Sequence, residues 1–263
     1  MSKVMDLTIT SLDAITAWGF DGSFRFILDE LQDAKIAHSV DTTDITGKGG
    51  RKLSTLKKNK AVTVSGTNGL VSAGLLEAQL GGTFEEKDGT IVAWTDYLTV
   101  TSNSATTEYK AVGTTGAEIS ELYVKNADGT LGDKLEQAAT TATGKFAYKP
   151  DTKTLTFTDI ADGSEVVVFY NRKIAGHVMT NDSDTYSEKL RLYIDATAED
   201  KCNNVYHVQF YIPKADFSGD FDLDMGDNQT VHAFEAESLA GACGAGSALW
   251  TYTIFGAEAA DVA

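Results

Sequence analysis

Phe146–Tyr170 reads FAYKPDTKTLTFTDIADGSEVVVFY. Three runs of β-branched and aromatic residues, Phe146–Tyr148, Thr154–Phe157 and Val166–Tyr170, are separated by two sets of turn residues. Lys149-Pro150-Asp151-Thr152 suits a proline-initiated turn and Asp162-Gly163 a tight one. Runs this short cannot be amphipathic helices, and their spacing is that of an antiparallel meander.

The same grammar continues to the C-terminus. Val205–Ile212 (VYHVQFYI), Phe217–Met225 (FSGDFDLDM), Val231–Leu239 (VHAFEAESL) and Leu249–Phe255 (LWTYTIF) read as consecutive strands, with Leu190–Ile194 (LRLYI) opening the group. In FDLDM the alternation is strict: Phe221, Leu223 and Met225 take one face, Asp220, Asp222 and Asp224 the other. Such a sheet buries one face and presents carboxylates on the other, which repels polyanions or holds a cation. Thr90–Thr101 and Glu108–Val112 are further strands, and Glu118–Asn126 is a strand or a helix end. Leu131–Ala138 reads as a short helix after the Asp128-Gly129 turn. Met1–Thr46 combines an early strand with one or two short helices or a strand pair. The expected fold class is mainly β: an antiparallel sandwich or barrel with one or two flanking short helices, residues 1–263 forming one domain.

Composition agrees. Thirty-two threonines suit pleated sheet, and only Pro150 and Pro213 supply proline, so Gly, Asp and Asn make the turns. Hydrophobic content of 42% and charged content of 23% are those of a packed protein. A net charge of −16 excludes a protein that grips nucleic acid by its phosphates. No window approaches the apolar length of a membrane helix, and MSKVMDLTIT lacks the apolar stretch of a signal peptide. Cys202 and Cys243 lie in no CxxC or CxxH pattern and are expected to be free, buried thiols.

Two segments depart from the sheet pattern. Residues 46–60 (TGKGGRKLSTLKKNK) hold Lys48, Arg51, Lys52, Lys57, Lys58 and Lys60, three glycines and no acid. A basic, glycine-containing loop on an acidic body is a charge asymmetry that drives self-association; a solvated loop without a partner, or a nucleic-acid contact, are the other readings. Residues 69–81 follow with apolar positions at Leu70, Val71, Ala73, Leu75, Leu76 and Leu80, the spacing of a buried helix closed by Gly81-Gly82.

Motifs for chemistry are missing. No Walker spacing surrounds Gly47-Lys48, and Gly241, Gly244 and Gly246 lack the strand-turn-helix setting of a dinucleotide site. His38, His177, His207 and His232 are scattered, with no His or Cys at zinc-ligand spacing. The Asp220–Asp227 run has Met225 and Val231 where a calcium loop needs glycine and glutamate. No catalytic residue, metal site or cofactor is assigned, and the chain is expected not to be an enzyme.

The acidic strand, VHAFEAESLAG, the glycine-rich connection and the closing LWTYTIFG together resemble the tail tube (major tail) proteins of tailed bacteriophages. GTNGLVSAGLLEAQLGGTFE (66–85), following the basic segment, resembles phage virion proteins too, so the likeness spans most of the chain. The resemblance implies a β-sandwich or barrel with a flanking helix, forming hexameric rings that stack into a hollow tube with an acidic inner sheet. It implies further that Asp220, Asp222 and Asp224 face the lumen and that residues 46–60 form the inter-subunit loop. The implied partners are other copies of the chain, other phage tail proteins, and DNA that passes without specific binding. The implied location is the virion tail, assembled in the host cytoplasm. The alternatives are a head decoration or cement protein, a carbohydrate- or metal-binding β-sandwich module using Trp94, Tyr97, Trp250 and Tyr252, and a hydrolase with paired acids.

Overall fold

A computed structural model describes residues 6–222, 231–241 and 246–256. In chain order the first elements are strands β1 (Leu7–Trp18), β2 (Phe24–Leu28), β3 (Lys35–Thr46) and β4 (Lys52–Asn68), then helix α1 (Ala73–Leu80). Strands β5 (Glu85–Thr99), β6 (Ser104–Thr106), β7 (Ile119–Lys125), β8 (Leu131–Gln137), β9 (Lys145–Lys149), β10 (Thr154–Thr156) and β11 (Glu165–Val178) follow. The chain closes with β12 (Lys189–Asp200), β13 (Val205–Phe217), β14 (His232–Ser238) and β15 (Thr251–Gly256). The fold is mainly β, in two sheets with one short α-helix, as the alternation in the sequence dictates.

The sequence reading took residues 1–263 as one domain; contacts within the chain divide it into two compact units, Met1–Phe84 with Met179–Ala263, and Glu85–Val178. Each unit has its own sheet and its own apolar core. No Gly/Ser/Pro linker marks the junctions, because β5 and β11 are long strands paired with each other from Glu85↔Val178 to Thr99↔Glu165. The insertion therefore enters and leaves on strands, invisible to a search for composition shifts.

In the first unit the sheet order is β2-β1-β12-β13-β14-β4-β3, all antiparallel, with β15 also on β13. Its core is made by alternate residues: Ile15 and Ala17 from β1, Leu190, Leu192 and Ile194 from β12, Ile212 and Phe217 from β13, Phe234 and Ala236 from β14. Helix α1 caps this core through Leu75 and Ala78. It begins where Leu75 N–H donates to Ser72 Oγ (3.3 Å) and ends where Gly81 turns left-handed (φ 73°) and donates to Glu77 O (2.7 Å). The expected 69–81 helix is thus present, shortened at its start. Pro213 sits in β13 at a register shift, where no ladder donor is needed.

The second unit has the order β5-β11-β7-β8-β9-β10-β6, with β8 and β9 parallel. Leu122, Phe146, Leu155, Val166 and Val168 are buried at its centre. The three runs read from Phe146–Tyr170 form β9, β10 and β11, but of these only β9 and β10 pair with each other. Strand β10 has β6 on its other side and β11 lies between β5 and β7, so the expected meander is a single hairpin followed by a strand placed elsewhere in the sheet. Two further expectations are corrected. Leu131–Ala138 is strand β8, because Leu122 and Leu135 pair across β7–β8 and are both buried. Glu108–Val112 forms only an isolated bridge, Val112↔Asn171. Of the alternatives for Met1–Thr46 the all-strand one holds: its described residues supply three strands and no helix. Cys202, expected to be buried, is an exposed free thiol in the turn after β12; Cys243 lies outside the described residues.

Candidate assembly arm and acidic surface

Residues 46–60 are not a flexible loop. A tight tip, Gly47 to Arg51, joins two paired strands. Gly49 and Gly50 adopt φ of 79° and 77°, and Gly47 N–H donates to Arg51 O (2.8 Å). Lys48 and Arg51 sit at this tip; Lys52, Lys57, Lys58 and Lys60 lie on β4. The physical reason is pairing: Val62 and Val64 alternate into the core, and the preceding residues of β4 stay extended because β3 runs beside them to Thr46.

The β3–β4 ribbon is paired from Lys35↔Ser65 to Thr46↔Lys52, with register shifts between Val40 and Asp41 and between Ile45 and Thr46. Beyond Val40↔Lys60 both strands are almost entirely exposed, so an arm of two strands leaves the sheet. At about 3.4 Å per residue, Asp41–Thr46 carries it some 20 Å. A register shift at its base leaves Asn59 unpaired, with φ 51° and its Nδ2 donating to Asp41 Oδ2 (2.9 Å). Because β4 spends one extra residue there, its alternation reverses. One arm face then carries Thr43, Ile45, Ser54 and Leu56, with Asp41 opposite Lys58; the other carries Thr42, Asp44, Lys52, Thr55 and Lys57. On the polar face Lys52 Nζ lies 2.6 Å from Asp44 Oδ1, which also accepts from Thr55 Oγ1 (3.1 Å). On the apolar face Ile45 and Leu56 are 49% and 54% exposed, and Leu53, left without a partner by the register shift next to the tip, is 59% exposed.

Of the strand expected over Phe217–Met225, residues 218–222 are not strand, and Leu223–Met225 lie outside the described residues. Phe217 is the last residue of β13, Ser218 N–H makes a final bond to Glu235 O (2.8 Å), and the chain leaves the sheet at Gly219. Asp220 and Asp222 are exposed on non-strand backbone; Asp224 lies outside the described residues. Phe221 is half-buried against the His232 ring, with centroids 5.2 Å apart.

Carboxylates in regular array occur instead on β14. His232, Phe234, Ala236 and Ser238 are buried, while Ala233, Glu235 and Glu237 are exposed. Asp216 pairs with Glu237 across β13–β14, and Lys189 Nζ approaches Asp216 Oδ2 at 3.3 Å. Sequence reasoning passed over Glu235 and Glu237, although the alternation of VHAFEAESL carries the signal.

β14 is anchored by a buried polar set. Ser72 N–H donates to His232 Nδ1 (3.2 Å), so the ring proton is on Nε2, which donates to Gln79 Oε1 (2.7 Å). Gln79 Nε2 in turn donates to Ala233 O (3.1 Å). Both side chains are fully buried, and that burial holds the His232 pKa below its ordinary value.

The four aromatics of the glycan reading divide between the two units, two in each. Trp94 donates its indole N–H to the buried Asp96 (2.9 Å) and its face is covered by Arg172, 4.6 Å from the ring centroid. Tyr97, in the same unit, is 71% exposed. Trp250 and Tyr252 belong to the other unit, where both lie against Phe210. Among the described residues no three His, Cys, Asp or Glu side chains are grouped to hold a metal, and no helix is long and apolar enough to cross a membrane.

A comparison with curated proteins found no match. Against protein families, residues 10–252 match the YomU/Tube protein family, a span that covers both compact units. That match agrees with the tail tube resemblance seen in the C-terminal strands and the helix, and implies a component of the virion. The chain belongs to the YomU/Tube protein family.

Proposed function

We propose that this chain is a non-enzymatic tail tube subunit that assembles in the host cytoplasm with copies of itself into stacked hexameric rings, through which phage DNA passes. The arm carries the reading. A two-stranded ribbon that packs on nothing among the described residues is marginal in water, and this one also exposes Ile45, Leu53 and Leu56. Covering the exposed half of each is worth about 1 kcal/mol per residue, stabilisation that the isolated chain forgoes. The contact of an arm with a different surface is heterologous, and such a contact propagates from ring to ring when its rotation does not close.

Charge supports the same reading. The six basic side chains of residues 41–60, against Asp41 and Asp44, give the arm +4 and leave −20 on the rest of a chain of net charge −16. An acidic body keeps the free subunit soluble, and carboxylates on a lumen wall keep DNA from adhering, since each phosphate contact would retard its passage. Asp220 and Asp222, with Glu235 and Glu237, are the side chains proposed for that wall. Other tail proteins would meet the ends of the stack. The test is to replace Asp41–Lys60 by a two-residue Asn-Gly turn and compare particles by electron microscopy. Wild type is expected to form tubes and the armless variant to remain a folded monomer; tubes from both would remove the arm from the reading.

A further inference from the structure

The first unit contains an apolar cavity of about 380 Å³, open to solvent and lined by Ile9, Leu12, Ile36, Val64, Phe210 and Trp250 among others. Helix α1 caps the core elsewhere, but nothing among the described residues covers this stretch, where Ile9 is 52% and Trp250 37% exposed. Lys35 and His38 sit on its wall, so strand β3 runs from the cavity directly into the arm.

We propose that this cavity receives the apolar face of the β3–β4 arm of a second copy of the chain. The proposal rests on the tube reading and names the surface that the arm meets. Three observations select this occupant. The arm and the cavity are apolar surfaces of one chain, each lacking a cover among the described residues, and burying one against the other removes both from water. The arm cannot serve its own cavity: Ile36 and His38 line it from the even-numbered side of β3, whereas Ile45 and Thr43 point to the odd-numbered side. The bulge at Asn59 puts Leu56 on that same outward side, although Val62 and Val64 face the core. Finally, an arm of charge +4 is attracted to another copy's body, which carries −20.

Complementation tests the pairing. An arm variant, Ile45→Asp with Leu56→Asp, keeps its cavity; a cavity variant, Ile9→Asp with Trp250→Asp, keeps its arm. All four positions are substantially exposed, so the fold should survive, and circular dichroism melts verify it. Should either pair of aspartates lower the melt, the milder Leu56→Ser and Ile9→Ser are used. In sedimentation each variant alone should remain monomeric, and an equimolar mixture should form a species of twice the monomer mass and nothing larger. A mixture that stays monomeric, or a cavity variant that polymerises like wild type, overturns the proposal; in the second case wild-type tubes would leave the tube reading intact. Dimers from the mixture together with wild type that forms only closed rings would support the arm–cavity contact and overturn stacking. Polymerisation of the arm variant would show the cavity to be filled by another segment and also overturns it.

Discussion

Acidification should weaken the first unit through one residue, His232. The neutral ring accepts from Ser72 N–H at Nδ1 and donates from Nε2 to Gln79 Oε1. Adding a proton places a second donor against Ser72 N–H and charges a fully buried ring, which is why its pKa lies below the ordinary 6.5. In the unfolded chain the imidazole titrates normally, so below pH 6.5 the unfolded state binds more protons than the folded one. Stability is then whole above the unfolded value and falls as pH drops towards the folded one. The slope is at most about 1.4 kcal/mol per pH unit, and the loss between pH 7.5 and 5.5 at most RT ln 10, about 1.4 kcal/mol. Urea unfolding followed by tryptophan fluorescence measures it. A Trp94→Phe background leaves only Trp18 and Trp250, both in the first unit. Subtracting the curve of His232→Gln, whose amide can still accept from Ser72, removes the contribution of every other titrating group. The difference should shrink as pH falls across this window. Parallel losses in both proteins would refute the claim that the fold holds His232 neutral.

Other perturbations separate packing from assembly. Leu192→Ala empties a fully buried position at the centre of the first sheet and should cost about 2–5 kcal/mol in urea unfolding, a loss below 1 meaning that the site collapses around the gap. Gly81→Ala places a Cβ 2.1 Å from Tyr186 O at φ 73°, so a melt unchanged from wild type would dispose of the helix cap described above. Lys58→Glu, on the apolar arm face and opposite Asp41, should slow assembly more than Lys57→Glu on the polar face; equal rates by light scattering would contradict the assigned faces. Asp222→Lys should leave stability within about 0.5 kcal/mol, being exposed, yet slow DNA release from reconstituted particles. Unchanged release would count against a lumen position.

The strands were legible wherever one face is buried. The alternation in VHAFEAESL is reproduced residue by residue in β14, and the turns within Phe146–Tyr170 separate β9, β10 and β11, although β11 pairs with β5 and β7 and not with β10. Helix α1 was legible too, because glycine at a left-handed C-cap is a local requirement. What failed depended on partners distant in sequence. The arm lacks a buried face, so no apolar alternation announces its strands, and pairing with β3 alone makes β4 extend through the lysines. Of FDLDM only Phe221 and Asp222 are described, and they follow the point at which the chain leaves β14 after Ser218. Leu131–Ala138 has a mixed pattern settled only by the pairing of Leu135 with Leu122. The insertion of Glu85–Val178 was hidden because strand pairing, not a linker, closes it.

The central claim, that copies of this chain stack through their arms around an acidic passage, is tested most directly by cryo-electron microscopy of the purified protein at high concentration. Open-ended tubes are predicted, with each β3–β4 ribbon seated on a subunit of the adjacent ring and Glu235 and Glu237 turned to the lumen. Particles that remain single, or closed shells with those carboxylates outside, would contradict it.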